Sequence, residues 1–122
     1  MRDAQRCLDT DIMLWRPRFQ RWAKARKTVV GYGAAAKATV WLNAIGVGPQ
    51  WMDYVVDETP EKNGLYIPGT GIRILRPEVL GVFPPDVIII LAHNYADEIR
   101  AKLEPHPPGT ELWSSMHHSR LS

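Results

Sequence analysis

The stretch that decides the fold is Thr28-Val29-Val30-Gly31-Tyr32-Gly33-Ala34-Ala35-Ala36-Lys37. A short β-branched run ends at Gly31, as a buried parallel strand would. Residues 34–45, rich in alanine with Leu42 and Trp41, read as a helix that Gly46, Gly48 and Pro49 stop. Strand, tight turn and helix in immediate succession match the G-x-G-x-x-G/A pattern, with Ala36 in the third position. In that reading Gly31 permits the turn and Gly33 leaves backbone open to a phosphate. Ala36 lets helix and strand pack closely. The helix start, including Ala34, then offers unpaired N–H groups to an anion, and Lys37 adds a full charge. The alternative is a purely structural corner.

Downstream the alternation continues. Residues 51–56 read as a second strand that ends in Asp57, about where dinucleotide folds place a ribose-binding carboxylate. Asp57 equally suits a turn cap acting through Thr59 or Lys62. Residues 58–71 form a turn-rich link with Asn63-Gly64 and Pro68-Gly69, long enough to be a candidate ligand or partner loop. A short strand over 72–75, a short helix over 77–82 opened by Pro77, and a clear strand over 87–91 follow. A helix is expected over 94–103 with Asn94 as its cap, and residues 111–113 suit an edge strand. Such alternation predicts an α/β, Rossmann-like three-layer domain with a mostly parallel sheet of four or five strands. With strand order 3-2-1-4, the ends of strands one and four flank a crevice. Tyr32 and Gly33 would face His93 and Asn94 across it. His93 is a candidate general base or phosphate donor, although His93 and Asn94 also suit a rim residue and a simple cap.

Upstream, Leu8, Ile12, Trp15, Phe19 and Trp22 recur at helical spacing, and Pro17 predicts a kink or a second helix starting there. The organisation is therefore an N-terminal helical segment over 1–26 packing on the core, a nucleotide-binding domain over 27–113, and a flexible tail over 114–122. Residues 1–27 carry eight Lys and Arg against three Asp, while the remainder carries seven against ten Asp and Glu, within a net charge of +2. No base-reading motif accompanies the basic segment, so nucleic acid is not the expected partner. The longest apolar run, residues 87–92, falls far short of the roughly 20 residues that span a bilayer. Neither a membrane nor a secretory signal is expected, and a lone Cys7 suits the cytoplasm. His106, His117 and His118 lack ligand partners at metal spacing, so no metal site is expected.

Together, Val30-Gly31-Tyr32-Gly33-Ala34-Ala35-Ala36-Lys37, Leu42-Asn43, Val55-Val56-Asp57-Glu58-Thr59-Pro60-Glu61-Lys62-Asn63-Gly64 and Pro68-Gly69-Thr70 with Ile72 and Ile74 form an ordered set. Pro85-Asp86 and Leu91-Ala92-His93-Asn94-Tyr95-Ala96-Asp97-Glu98-Ile99 complete it. Over residues 28–103 the chain resembles the C-terminal domain of S-adenosylmethionine-dependent sugar C-methyltransferases. Gly31, Gly33, Lys37, Asp57 and Asn94 fall on motif positions. Ala38 stands where the family usually has Gly, and His93 where it usually has Trp.

The resemblance implies a Rossmann-like domain that helps hold a nucleotide-linked sugar, with the methyl donor and the catalytic base on other domains. No S-adenosylmethionine site is then expected in these residues. The leading expectation is a non-catalytic nucleotide- or nucleotide-sugar-binding domain. One rival is a small oxidoreductase or epimerase using NAD, with His93 as acid/base. Another is an interaction module in which Trp15, Phe19, Trp22 and Trp41 dock on a separate catalytic methyltransferase chain or on a second copy.

Overall fold

Burial on both faces selects β-branched residues for central strands, and Val29, Val30 and Val87 through Ile90 meet that demand. A computed structural model describes residues 2–91, 99, 101, 103, 109–115, 120 and 121, with residues 2–8 as backbone only. Its elements are α1 (Arg2–Lys24), β1 (Val29–Tyr32), α2 (Ala36–Ile45), β2 (Tyr54–Val56), β3 (Ile74–Leu75), α3 (Val79–Val82), β4 (Val87–Ile90) and β5 (Glu111–Ser114). All five strands are parallel, in the order β3-β2-β1-β4-β5. The expected α/β class and the 3-2-1-4 core order are thus realised, with β5 at the edge.

Alternate residues face opposite layers. Val29, Val55, Val87, Ile89 and Leu91 pack with α1 and α2, while Val30, Tyr32, Val56, Ile88 and Ile90 pack with α3 and with Ile99 and Leu103. Ile99, Ala101 and Leu103 are helical, and the rest of the helix expected over 94–103 lies outside the described residues.

Three local readings need correction. First, α1 runs on past Pro17 to Lys24, so no second helix starts at the proline. Trp15 and Phe19 are fully buried and Trp22 nearly so. At about 1.5–3 kcal/mol per large side chain buried, their packing outweighs the cost of about 3 kcal/mol for a proline inside a helix. The same burial removes these residues, with Trp41, from any outward docking face: they form the domain's own core. Second, Trp51 and Met52 precede β2 in a turn whose amides donate to Gly48 O. Third, residues 114, 115, 120 and 121 are not a loose tail. Leu121 N–H donates to Leu112 O, and Trp113 bridges Arg120 in antiparallel fashion.

The link between β2 and β3 is ordered by its own bonds. Pro60–Lys62 forms a 3₁₀ turn. Gly64 N–H donates to Ile74 O, Ile74 N–H to Leu65 O, and Ile67 N–H to Ile72 O, so the link covers the free edge of β3. Asn43 Nδ2 donates to Pro68 O at 2.9 Å, tying the link to α2. Ile67 and Ile72 are buried beneath it.

Candidate functional site

β1 is the central strand. α2 leaves it on one face, whereas Ile99 and Leu103, in the segment after β4, pack on the other. The crossovers therefore diverge between β1 and β4, where open parallel sheets usually form a ligand crevice. His93 and Asn94, expected on the far side of that crevice, lie outside the described residues.

The glycines divide the work differently from the sequence expectation. Gly31 lies within β1, paired with Val55 and Ile89, and is not the turn residue. A Cβ there would stand 2.7 Å from Leu91 Cδ1 and 3.1 Å from both Met52 Sδ and Val55 Cγ2, so close packing demands the glycine. The turn belongs to Gly33, whose φ of 106° is a conformation that side chains resist.

The amides of this turn are engaged by the protein itself. Gly33 N–H donates to Val56 O at 2.8 Å, and Ala34 N–H to Asp57 Oδ2 at 2.7 Å. Asp57 Oδ1 accepts from Thr59 N–H at 2.8 Å. Lys62 Nζ donates to Ala34 O at 3.0 Å and stands 3.9 Å from Asp57 Oδ2. Partial burial alone would raise the Asp57 pKa. The hydrogen bonds from Ala34 and Thr59, with the charge of Lys62, outweigh it and hold the carboxyl below the usual range. Asp57 thus knits the glycine turn to the start of the β2–β3 link.

One residue further on, the picture opens. Ala35 is the N-cap of α2, no side chain caps the helix, and its first turn contains no acidic residue. The amides of Ala36, Lys37 and Ala38 are those a helix leaves unpaired at its start. Exposed Lys37 stands among them. Anion-attracting potential lies on this first turn, not on the glycine amides.

Tyr32 ends β1, is 4% exposed and points to the α3 face. Burial, followed by the charges of Glu58, Asp57 and Glu78, pushes its phenol up to about 12, so it stays protonated at neutral pH. Beside it a cavity of about 570 Å³ is lined by Glu58, Pro60, Arg76, Pro77 and Glu78. The cavity was not foreseen from the sequence. Its signal was positional: charged residues directly after Val56 and Leu75, the ends of two parallel strands, all belong to one rim of the sheet. Among the described residues, no three His, Cys, Asp or Glu are grouped to hold a metal ion, and no helix is long and apolar enough to cross a membrane.

Comparison with known proteins adds two findings. The pattern that defines the C-methyltransferase C-terminal domain matches residues 17–109. The C-methyltransferase NovU of Streptomyces niveus is 44% identical over 73 residues, a stretch that covers 60% of this chain and 17% of that protein.

Proposed function

The chain belongs to the family of C-methyltransferase C-terminal domains, and from that premise we propose that it holds an anionic nucleotide-type ligand, a nucleotide-linked sugar above all. In this reading it does not itself transfer the methyl group. The aligned stretch is only 17% of NovU, and the reading assigns the methyl-donor chemistry to another part of such an enzyme or to a separate chain. The carrying observation is the start of α2 at the C-terminal end of the central strand, without a side-chain cap and beside Lys37. A helix start of this kind attracts phosphate through its partial positive charge and its unpaired amides.

The dinucleotide reading finds less support. The oxygens of Asp57 already accept from Ala34 N–H and Thr59 N–H, so a ribose would have to share this carboxylate with the turn it holds together.

The test is a titration of the ¹⁵N-labelled chain with uridine diphosphate, and separately with NAD. Uridine diphosphate should shift the amides of Ala36, Lys37 and Ala38, with affinity that falls as salt rises. Lys37→Glu should weaken binding at least about tenfold, as loss and reversal of a charge-assisted contact imply. Silence at those amides at millimolar ligand would overturn the proposal. Binding of NAD alone would favour the oxidoreductase reading.

A further inference from the structure

The two edges of the sheet are closed by different means. Beyond β3, residues 65–67 pair with residues 72–74 and run straight into Pro68, a short edge that the proline blunts. β5 lies at the opposite edge, and residues 109–116 around it contain no proline. The N–H groups of Glu111 and Ser115 donate to Asp86 O and Ile90 O, so the backbone groups of Leu112 and Ser114 point away from β4. A row of such groups is a template for another strand.

A piece of the same chain lies on that row. Trp113 and Arg120 form an antiparallel bridge, and Leu121 N–H donates to Leu112 O at 2.7 Å. Leu121 also packs against the cluster that contains Ile88, Ile90 and Leu112. Arg120 stands 3.8 Å from Glu111, whose carboxylate also accepts from Lys27 Nζ at 3.0 Å. The direction of this segment is informative. All five strands are parallel, yet Arg120 and Leu121 run the other way. Two β5 strands meeting edge to edge across a two-fold axis normal to the sheet are antiparallel as well. Arg120 and Leu121 therefore sit in cis where the β5 of a second copy would sit in trans. A pair centred on Trp113 sets Leu112 against Ser114 of the partner copy, and Glu111 against Ser115 of the partner copy. No two carboxylates oppose each other in that register.

We propose that Arg120 and Leu121 act as a strap that keeps the edge of β5 from self-association, and that loosening the strap converts the chain to a two-fold dimer built on β5. The device uses none of the residues of the α2 ligand site.

Sedimentation of the full chain over a range of concentrations tests it. Leu121→Pro removes both the N–H given to Leu112 and the leucine's apolar contact. This variant should dimerise at least about tenfold more tightly than wild type, as loss of a competing hydrogen bond and its packing implies. Arg120→Glu keeps that N–H but sets a second carboxylate beside Glu111. It should shift association the same way by a smaller factor, and it carries the test if Leu121→Pro does not fold. As concentration rises, ¹⁵N spectra of either variant should show movement at the amides of residues 112–115. A folded variant no more associated than wild type would overturn the proposal. So would association that moves the amides of α2 or of residues 65–67 and leaves those of β5 in place.

Discussion

At the scale of single residues, Asp57 and Gly31 show how one linear pattern serves two purposes. Spacing marks Asp57 as a possible ribose ligand, but spacing does not reveal that Thr59 and Ala34 turn their amides toward it. Asp57→Ala strands both donors and should cost about 1–3 kcal/mol in urea unfolding. Its pH dependence has a definite sign. The folded-state pKa lies below the unfolded one, so the carboxylate's contribution is complete above the ordinary Asp value of 3.8 and fades as pH falls through the folded-state value. The gap between wild type and Asp57→Ala should therefore be constant from about pH 5 to 7 and close at lower pH. A gap that widened on acidification would contradict the observed network. Gly31→Ala drives a methyl to 2.7 Å from buried Leu91 and should cost about 1–3 kcal/mol. Gly81→Ala, within α3 and in open space at ordinary φ, should instead stabilise by about 0.5–1 kcal/mol. The opposite signs separate a glycine kept for packing from one that is not.

At the scale of elements, hydrophobic period carried most of the information. The short runs ending at Tyr32, Val56 and Ile90 are strands because they are β-branched and buried on both faces, and the αL glycine at Gly46 (φ 84°) ends α2 where expected. What escaped was settled by contacts distant in sequence. Residues 58–71 look like a free loop, but their order comes from Asn43 on α2 and from the edge of β3, neither of them local. Pro17 looks like a break because local rules weigh its missing N–H and cannot weigh the burial of Trp15, Phe19 and Trp22 on the opposite side. Pro17 is exposed, and so is Met13, whose carbonyl loses its helical donor to the proline and can take water instead. Pro17→Ala restores that bond and should raise stability by about 1–3 kcal/mol, read as a higher midpoint in urea. A lower midpoint would mean that the core requires the proline's geometry to seat Trp22.

At the scale of the whole molecule, the first helix and the last strand are joined through one aromatic cluster. Trp15 touches Phe19 at 5.9 Å, Trp22 at 6.3 Å, Trp41 at 5.1 Å and Trp113 at 5.8 Å between ring centroids. Arg18 lies over the rings of Trp15 and Trp113 at 4.6 and 4.4 Å. Trp15→Ala would leave a large void where α1, α2 and β5 meet and should cost about 3–5 kcal/mol. Against a total stability of about 5–15 kcal/mol for a domain, that leaves little margin. Trp15→Phe is a different case. The indole Nε1 is buried without a hydrogen-bond partner among the described residues, an unmet donor worth about 1–3 kcal/mol. Replacing it with phenylalanine removes that penalty while creating a smaller void, so the two effects oppose each other. Urea unfolding should rank wild type and Trp15→Phe within about 1.5 kcal/mol of each other, with Trp15→Ala far below. The cluster lies on the α1 face, whereas Tyr32 faces α3 and the first turn of α2 lies at the sheet's C-terminal rim. Trp15→Phe should therefore keep wild-type affinity for uridine diphosphate, and a loss of binding in a folded Trp15→Phe would show that α1 packing sets the geometry of the rim.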